Sequence, residues 1–535
     1  MSDTAGKDPV YLRSNTKIEP LCCRWYAWSH LISPLQLALN ITFRQLPLLR
    51  SFIANPAVHE NASKDLKFMG GSFVQLARKD MPAVRALLSD MTQRCARLIR
   101  LAEDYVNFNR QYQTAARGSN VDHLYESLPE SLAGLMELTY DIDNHPTLLL
   151  VEPLLYLDRE LNVGQLQELS FFLDSDQNRK FFLNTPRVDA AERFLLPMSF
   201  ADSRIDLLAA SRLQAVPFTT LAEELGVPES ERLRFREYFT PAPPERRDPD
   251  YYGDGLRLRY FGHACILLQT SETSILIDPL FTWDHDDAPS HLSFADLPDV
   301  IDYVFITHNH HDHFSPEVFL QLRNRIRNVL VPRNTVGSVA DASLKGILRS
   351  LGHTNVTVMD PLDRVTIPAG SITSLPFFGE HAALNVAAKH GVHVELKGRK
   401  LVFLADSNCL DPVLYRRIVQ RLGKVDTLFI GMECQGAPLS WVYGPYLTNP
   451  ISRKDDEGRR SNGSDSERAW ALLQELGCTR TFVYAMGQEP WFRYHLDLIY
   501  TPDSKQVVES NKYLARCNGV GIPAERLEGC REMQL

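Results

Sequence analysis

Between residues 80 and 105, apolar side chains return every three or four positions. Met81, Val84, Leu87, Leu88, Met91, Cys95, Leu98, Leu101 and Tyr105 have the spacing of one buried helix face. Helical stretches of this kind dominate residues 1–240. Between 144 and 182 shorter apolar runs alternate with turn residues, so a few strands are expected among the helices. Past residue 250 the period changes. Residues 256–260, 266–269 and 274–277 read as a meander and 303–306 as a buried strand. Residues 365–367, 372–375, 392–396, 401–404, 427–430 and 481–484 read as further strands. Helices over 316–327, 412–422 and 466–476 interrupt them, which gives a sheet packed with helices, an α/β arrangement.

Between the halves, residues 240–250 hold four prolines and five charges and read as an extended linker. The expected organisation is a mainly helical (α+β) N-terminal domain over 1–240, a linker over 241–254 and a catalytic domain over 255–535. Residues 452–467, SRKDDEGRRSNGSDSE, carry almost no apolar side chain and are expected to form a mobile surface loop. No internal repeat is visible.

Composition narrows the function. With 44% hydrophobic and 23% charged residues in 535, the chain is an ordinary globular one that needs no disulfide staples. A net charge of −9 removes the basic excess of a nucleic-acid binder. No apolar run reaches the ~18 residues of a membrane span. The opening MSDTAGKDP has no apolar secretory core, so the expected location is the cytoplasm. The nine cysteines include no C-x-x-C pair. That argues against a zinc ribbon, an iron–sulfur cluster or a disulfide scaffold, and for free thiols. The fragment Met69-Gly70-Gly71-Ser72 lacks the lysine of a phosphate loop.

Histidine carries the chemistry. Seven of the sixteen fall between His263 and His313, and His308, His310, His311 and His313 lie within six positions. A buried strand ends at Thr307, and a helix is expected to start behind Ser315 with Pro316 at its first position. The H-x-H-x-D-H run therefore lies on a tight loop between two rigid elements. His308 and His310 can point to one metal, while Asp312 and His313 turn to a second, ~3.5–4 Å away as in two-metal sites. His311, at an x position, is expected to point away. His30, His59, His123 and His145 stand alone and read as structural.

This strand–loop–helix is similar to the metallo-β-lactamase fold, a four-layer αββα sandwich with a dinuclear site at one edge of its sheets. The resemblance covers residues 255–500. Two downstream segments match it: Pro376-Phe377-Phe378-Gly379-Glu380-His381, and Leu404-Ala405-Asp406-Ser407-Asn408, whose aspartate is implied to bridge the metals. Glu380 and His381 are neighbours, and on an extended segment only one of them reaches the metals. With His381 the set is four histidines and two carboxylates, suited to a zinc hydrolase acting on a lactone, thioester or phosphoester. With Glu380 it is three histidines and three carboxylates, an oxygen-rich set that stabilises ferric iron and suits O₂ activation.

The segments FFGEH, LADSN, GMECQGAPLSWVYGP and YAMGQEPW, behind a helical N-terminal domain, resemble the diiron β-hydroxylases of chloramphenicol biosynthesis and their relatives. The resemblance implies two iron ions in an oxo-bridged cluster, held by His308, His310, Asp312, His313, Glu380 and Asp406. It implies O₂-dependent hydroxylation of the β-carbon of an amino acid, aromatic as in p-aminophenylalanine. That amino acid would be held as a thioester on a peptidyl carrier domain of a nonribosomal peptide synthetase. Electrons must come from an external donor, an electron-transfer reductase. The N-terminal domain is left with three roles: a lid, carrier docking, or pairing into a homodimer. His263 and Glu433 are the catalytic candidates beside the ligands. Glu433 would orient bound oxygen or move protons, or else form a salt bridge or cap; His263 would border the site or be structural. Glu489 and His495 stay outside the metal set. Trp441, Tyr443, Tyr446, Trp491, Phe492 and Tyr494 either line a pocket for an aromatic side chain or pack in the core. A non-catalytic docking protein on this fold would have no need of six ligands.

Overall fold

A computed structural model describes residues 9–65, 68–173, 176–189, 192–283 and 291–535; the opening MSDTAGKD lies outside the described residues. The strand Cys265–Gln269 shows how the catalytic half is built. Cys265 and Leu267 face one apolar cluster and Ile266 and Leu268 another, because successive side chains leave a strand on opposite faces. A strand buried on both faces is apolar without alternation, which is why this half reads as short apolar runs.

Two seven-stranded sheets result. One runs, in spatial order, Val356–Met359, Ile326–Pro332, Ile301–Phe305, Ser274–Ile277, Cys265–Gln269, Arg257–Gly262 and Arg531–Gln534. The other runs Arg364–Ile367, Gly370–Leu375, Gly391–Leu396, Arg399–Phe403, Thr427–Gly431, Arg480–Tyr484 and Ala524–Arg526. Phe305 and Leu330 of the first meet Val394, Phe403, Phe429 and Phe482 of the second in one cluster between the sheets. Helices Val413–Leu422, Ser466–Leu476 and Lys505–Gly519 cover the outer face of the second sheet. Helices Pro316–Leu322 and Leu344–Ser350, together with the N-terminal region, cover the first. This is the expected αββα sandwich.

Residues 9–240 combine helices, the longest being Ala96–Ala115, with a four-stranded sheet of Trp25–Tyr26, Lys17–Cys22, Gln167–Phe172 and Phe194–Pro197. Their apolar side chains join those of the first sheet in one continuous cluster. A buried ionic group crosses the same junction. Glu19 pairs with Arg179 at 2.9 Å, Arg187 at 2.9 Å and Arg193 at 2.7 Å. Arg179 also reaches Glu317, on the helix behind the histidine loop, at 2.6 Å. Burial works against the Glu19 charge, but the three guanidiniums prevail and hold its carboxyl well below the usual range. Residues 241–254 contain no helix or strand, yet they are tied down: Arg246 Nε donates to the Ala295 carbonyl at 3.0 Å and Arg247 pairs with Asp296 at 2.6 Å. Among the described residues no helix is long and apolar enough to cross a membrane.

Three expectations are corrected. The helix expected over 316–327 ends at Leu322, where Arg323 turns aside to Asp206 Oδ1 at 2.7 Å and to the Leu351 carbonyl at 3.0 Å; Ile326–Pro332 is a strand. The helical stretch 80–105 is two helices, Met81–Arg94 and Ala96–Ala115, broken at Cys95. Residues 452–467 are not a loose loop. They form the helix Arg453–Gly458, capped by Ser452, and Ser464 is buried with its hydroxyl 2.9 Å from the Ser407 carbonyl. The Ser440 N–H and hydroxyl both bond Asp456, so the segment is tied to the helix Leu439–Tyr443 while its outer side chains stay exposed.

Candidate metal centre

The histidine loop hangs between the strand Ile301–Phe305 and the helix Pro316–Leu322, whose cap is Ser315. The backbone N–H of His390 donates to the Thr307 carbonyl at 2.8 Å, so the start of the loop is pinned to the residue that leads into the strand Gly391–Leu396 of the second sheet. His308, His310, Asp312, His313, Glu380 and Asp406 are all buried and converge. Three sets form, and within each the ligating atoms lie within 4.8 Å of one another: His308, His310 and Glu380; His308, His313 and Asp406; His263, Asp312 and His313. Asp406 Oδ2 lies 3.3 Å from His313 Nε2 and 3.9 Å from His308 Nε2, between the first and last sets. His308 Nε2, His313 Nε2 and Asp406 Oδ1 are buried without a hydrogen-bond partner among the described residues. Buried polar atoms left bare in this way are what a bound cation satisfies.

Neighbours orient these rings. Asp278 Oδ2 lies 2.7 Å from His313 Nδ1 and accepts the Thr307 hydroxyl at 2.6 Å. With Nδ1–H committed to a carboxylate, His313 offers Nε2. Thr307 Oγ1 also lies 3.0 Å from His308 Nδ1. Burial lowers the His308 pKa well below its ordinary value, which keeps a lone pair available. Burial also opposes charge on His313, but Asp406, Asp312 and Asp278 outweigh it and hold that ring well above its ordinary pKa.

Glu380 and His381 do not lie on an extended segment. Gly379, Glu380, His381, Ala382 and Ala383 all have positive φ, at 85°, 56°, 50°, 53° and 57°. Left-handed backbone costs roughly 1–2 kcal/mol per non-glycine residue, so this turn persists because it is held. Lys389 Nζ donates to the Gly379 carbonyl at 2.5 Å and Arg459 Nε to the Ala382 carbonyl at 3.0 Å. A Cβ at residue 379 would fall 2.2 Å from Asn408 Cβ. The turn sends the neighbours apart. Glu380 Oε1 lies 2.8 Å from His310 Nδ1, whereas His381 Nδ1 lies 2.6 Å from the Tyr443 hydroxyl and belongs to none of the three sets. Burial raises the Glu380 carboxyl above its ordinary value.

The other residues singled out in the sequence are placed as follows. His311 turns away, with Nε2 2.9 Å from the His495 carbonyl and its ring 4.6 Å from Phe182. His263 (φ 49°) stacks 4.1 Å from Phe492 and brings Nε2 to 3.4 Å from Asp312 Oδ2. Glu489 is occupied by the Tyr260 hydroxyl at 2.6 Å and the His263 N–H at 2.8 Å; neither it nor His495 joins the sets. Glu433, half-buried just beyond the strand Thr427–Gly431, accepts from the Tyr500 hydroxyl and from Gln506 Nε2 at 2.6 Å. Burial, with the Asp406 and Glu380 charges adding to it, pushes its carboxyl up to about 8 despite those two bonds. Tyr443, Tyr446, Trp491, Phe492 and Tyr494 are core residues and Trp441 is half-buried. Asp278 and Thr307 were not marked by the sequence as site residues, and Tyr443 was marked only as a pocket or core aromatic. The one signal for Asp278 is a strand, Ser274–Ile277, that closes on an aspartate and pairs in register with the strand feeding the histidine loop.

Comparison with known proteins extends these findings. A family model described as the diiron non-heme beta-hydroxylase N-terminal domain matches residues 11–243, and a beta-lactamase superfamily domain matches residues 273–441. The 4-amino-L-phenylalanyl-[CmlP-peptidyl-carrier-protein] 3-hydroxylase of Streptomyces venezuelae is 33% identical over 530 residues, 98% of this chain and 99% of that one. The crystal structure of CmlA, a diiron beta-hydroxylase from the same organism, superposes with a TM-score of 0.93 at 32% identity, covering 99% of this chain and all of that one. A glutamate-to-aspartate variant of CmlA superposes at 0.90.

Proposed function

Because the chain belongs to the diiron non-haem β-hydroxylases and is thus a non-haem diiron oxygenase, we propose that it hydroxylates the β-carbon of an aromatic amino acid held as a thioester on a peptidyl carrier domain. The iron ligands in this reading are His308, His310 and Glu380 on one side, Asp312 and His313 on the other, and Asp406 between them. The bare buried atoms His308 Nε2, His313 Nε2 and Asp406 Oδ1 fit a bound cation pair, and the oxygen-rich donor set fits iron. Two irons there supply O₂ activation: one oxygen atom enters the C–H bond and the other leaves as water, with two electrons and two protons consumed.

The chain's own side chains prepare that chemistry. Asp278 and Thr307 fix which nitrogens His313 and His308 present. The six ligands, each 7% exposed or less, keep bulk water from the centre. Glu433, whose carboxyl burial raises in the metal-free chain, would hold or pass a proton near Asp406; His263 steadies Asp312. In this reading the electrons come from a separate reductase, and residues 1–240, 241–254 and 255–535 remain the N-terminal region, strap and catalytic domain.

The observation that carries the reading is Glu380 at 2.8 Å from His310 Nδ1 with His381 turned to Tyr443. The test is mass spectrometry of a carrier domain loaded with p-aminophenylalanine, incubated with the enzyme, a reductant and isotopically heavy O₂. The arm is expected to gain one heavy oxygen atom; an unchanged arm, or one cleaved from its carrier, contradicts the reading.

A further inference from the structure

Tyr443 stands between the two rings that decide the ligand set. Its hydroxyl lies 2.6 Å from His381 Nδ1 and 3.3 Å from His310 Nε2. His310 turns Nδ1 to the Glu380 carboxylate and Nε2 to the tyrosine oxygen. The phenol makes the shorter of its two bonds to His381 Nδ1, the ring it holds more firmly. His381 is 1% exposed, and its Nε2 has no partner among the described residues. The hydrogen bond to Tyr443 is thus what turns this imidazole aside.

Tyr443 is itself well anchored. It ends the helix Leu439–Tyr443, is 2% exposed, and packs edge-on against Tyr446. The Tyr446 hydroxyl lies 2.7 Å from His30 Nδ1 and accepts from Asn40 Nδ2 at 2.8 Å, both in the N-terminal region. The turn it restrains is the opposite, a run of left-handed residues with every incentive to relax. Relaxation toward extended backbone would rotate residues 380 and 381 together, and one side chain would replace the other at the centre.

We propose that Tyr443 selects the metal: by holding His381 out of the coordination sphere it keeps Glu380 in, and with it the donor set of iron rather than that of zinc. This rests on Glu380 being a ligand, as in the reading above. Once released, His381 adds a fourth imidazole, the borderline donor that zinc accepts readily, and Glu380 withdraws the hard carboxylate oxygen that favours iron over zinc.

The test uses the full chain, stripped of metal and offered Fe(II) and Zn(II) in competition without oxygen, with bound metals counted. Tyr443→Phe, which keeps the ring, is expected to raise the zinc-over-iron preference on the order of tenfold over wild type, the scale of a lost metal-orienting contact. Tyr443→Phe/His381→Ala is expected to return it to the wild-type value, because the released ring is gone. An unchanged preference in Tyr443→Phe overturns the proposal. A raised preference that persists in the double variant also overturns it, since the effect would then run through His310. His381→Ala alone keeps the question decidable if Tyr443→Phe does not fold. It is expected to retain two metals, and loss of one would make His381 a ligand and overturn the proposal. Wild-type protein isolated with zinc is a different result, contradicting the ligand reading itself.

Discussion

Asp278 Oδ2 lies 2.7 Å from His313 Nδ1, joining the end of one buried strand to the last histidine of the metal loop. Both groups are fully buried, so the bond is not diluted by water. It fixes the tautomer and the tilt of the ring, with Thr307 Oγ1 a longer second contact to the same nitrogen at 3.4 Å.

Asp278→Asn is therefore expected to weaken metal binding at the His313 side by roughly 10–100-fold, the usual cost of losing such a partner. Metal titration of the stripped variant checks this. Binding equal to wild type would mean that Thr307 alone orients the loop.

Arg179 and Glu317 make the second link that matters. The guanidinium bridges Glu19 and Glu317, both buried, across the junction of the two halves. Arg179→Met strands the Glu317 carboxylate, and a buried charge without its partner costs about 3–5 kcal/mol. The thermal midpoint is expected to fall by several degrees. Arg179→Met/Glu317→Gln is expected to recover part of the loss, which calorimetry of the two variants measures.

Much of the site was legible because its ligands are contiguous. The H-x-H-x-D-H run needs only a strand before it and a capped helix after it, and Thr307 and Ser315 announce both. Glu380 and His381 were not separable in the sequence, because their divergence depends on a left-handed turn. That turn is held by Lys389, Arg459 and Tyr443, the last two more than 60 residues away in the chain. The strands were readable from apolar runs, yet the helix over 316–322 was overextended because its apolar period continues into Ile326; what ends it is Arg323 meeting Asp206. Residues 452–467 misled for a different reason. Composition reports polarity, and Ser464 is polar but buried against Ser407.

Glu433 gives a prediction in pH. Its carboxyl rises from 4.5 to about 8 in the folded, metal-free chain. The fold thus favours the neutral form; that stabilisation is complete below pH 4.5 and is lost as the pH climbs through about 8. Glu433→Gln, always neutral, is expected to match wild type at pH 4.5 and to be more stable by about 1–2 kcal/mol at pH 9, a figure discounted for the partly exposed side chain. Denaturant unfolding of the stripped proteins at the two pH values reads the difference. Parallel curves across the range would mean that the carboxyl titrates normally.

Metal analysis of the wild-type chain, purified without added metal, tests the account most directly. Two irons per chain and a visible ligand-to-metal band, with the iron lost in Glu380→Ala and kept in His381→Ala, are the expected results. Stoichiometric zinc with esterase activity, surviving Glu380→Ala and abolished by His381→Ala, would contradict the account.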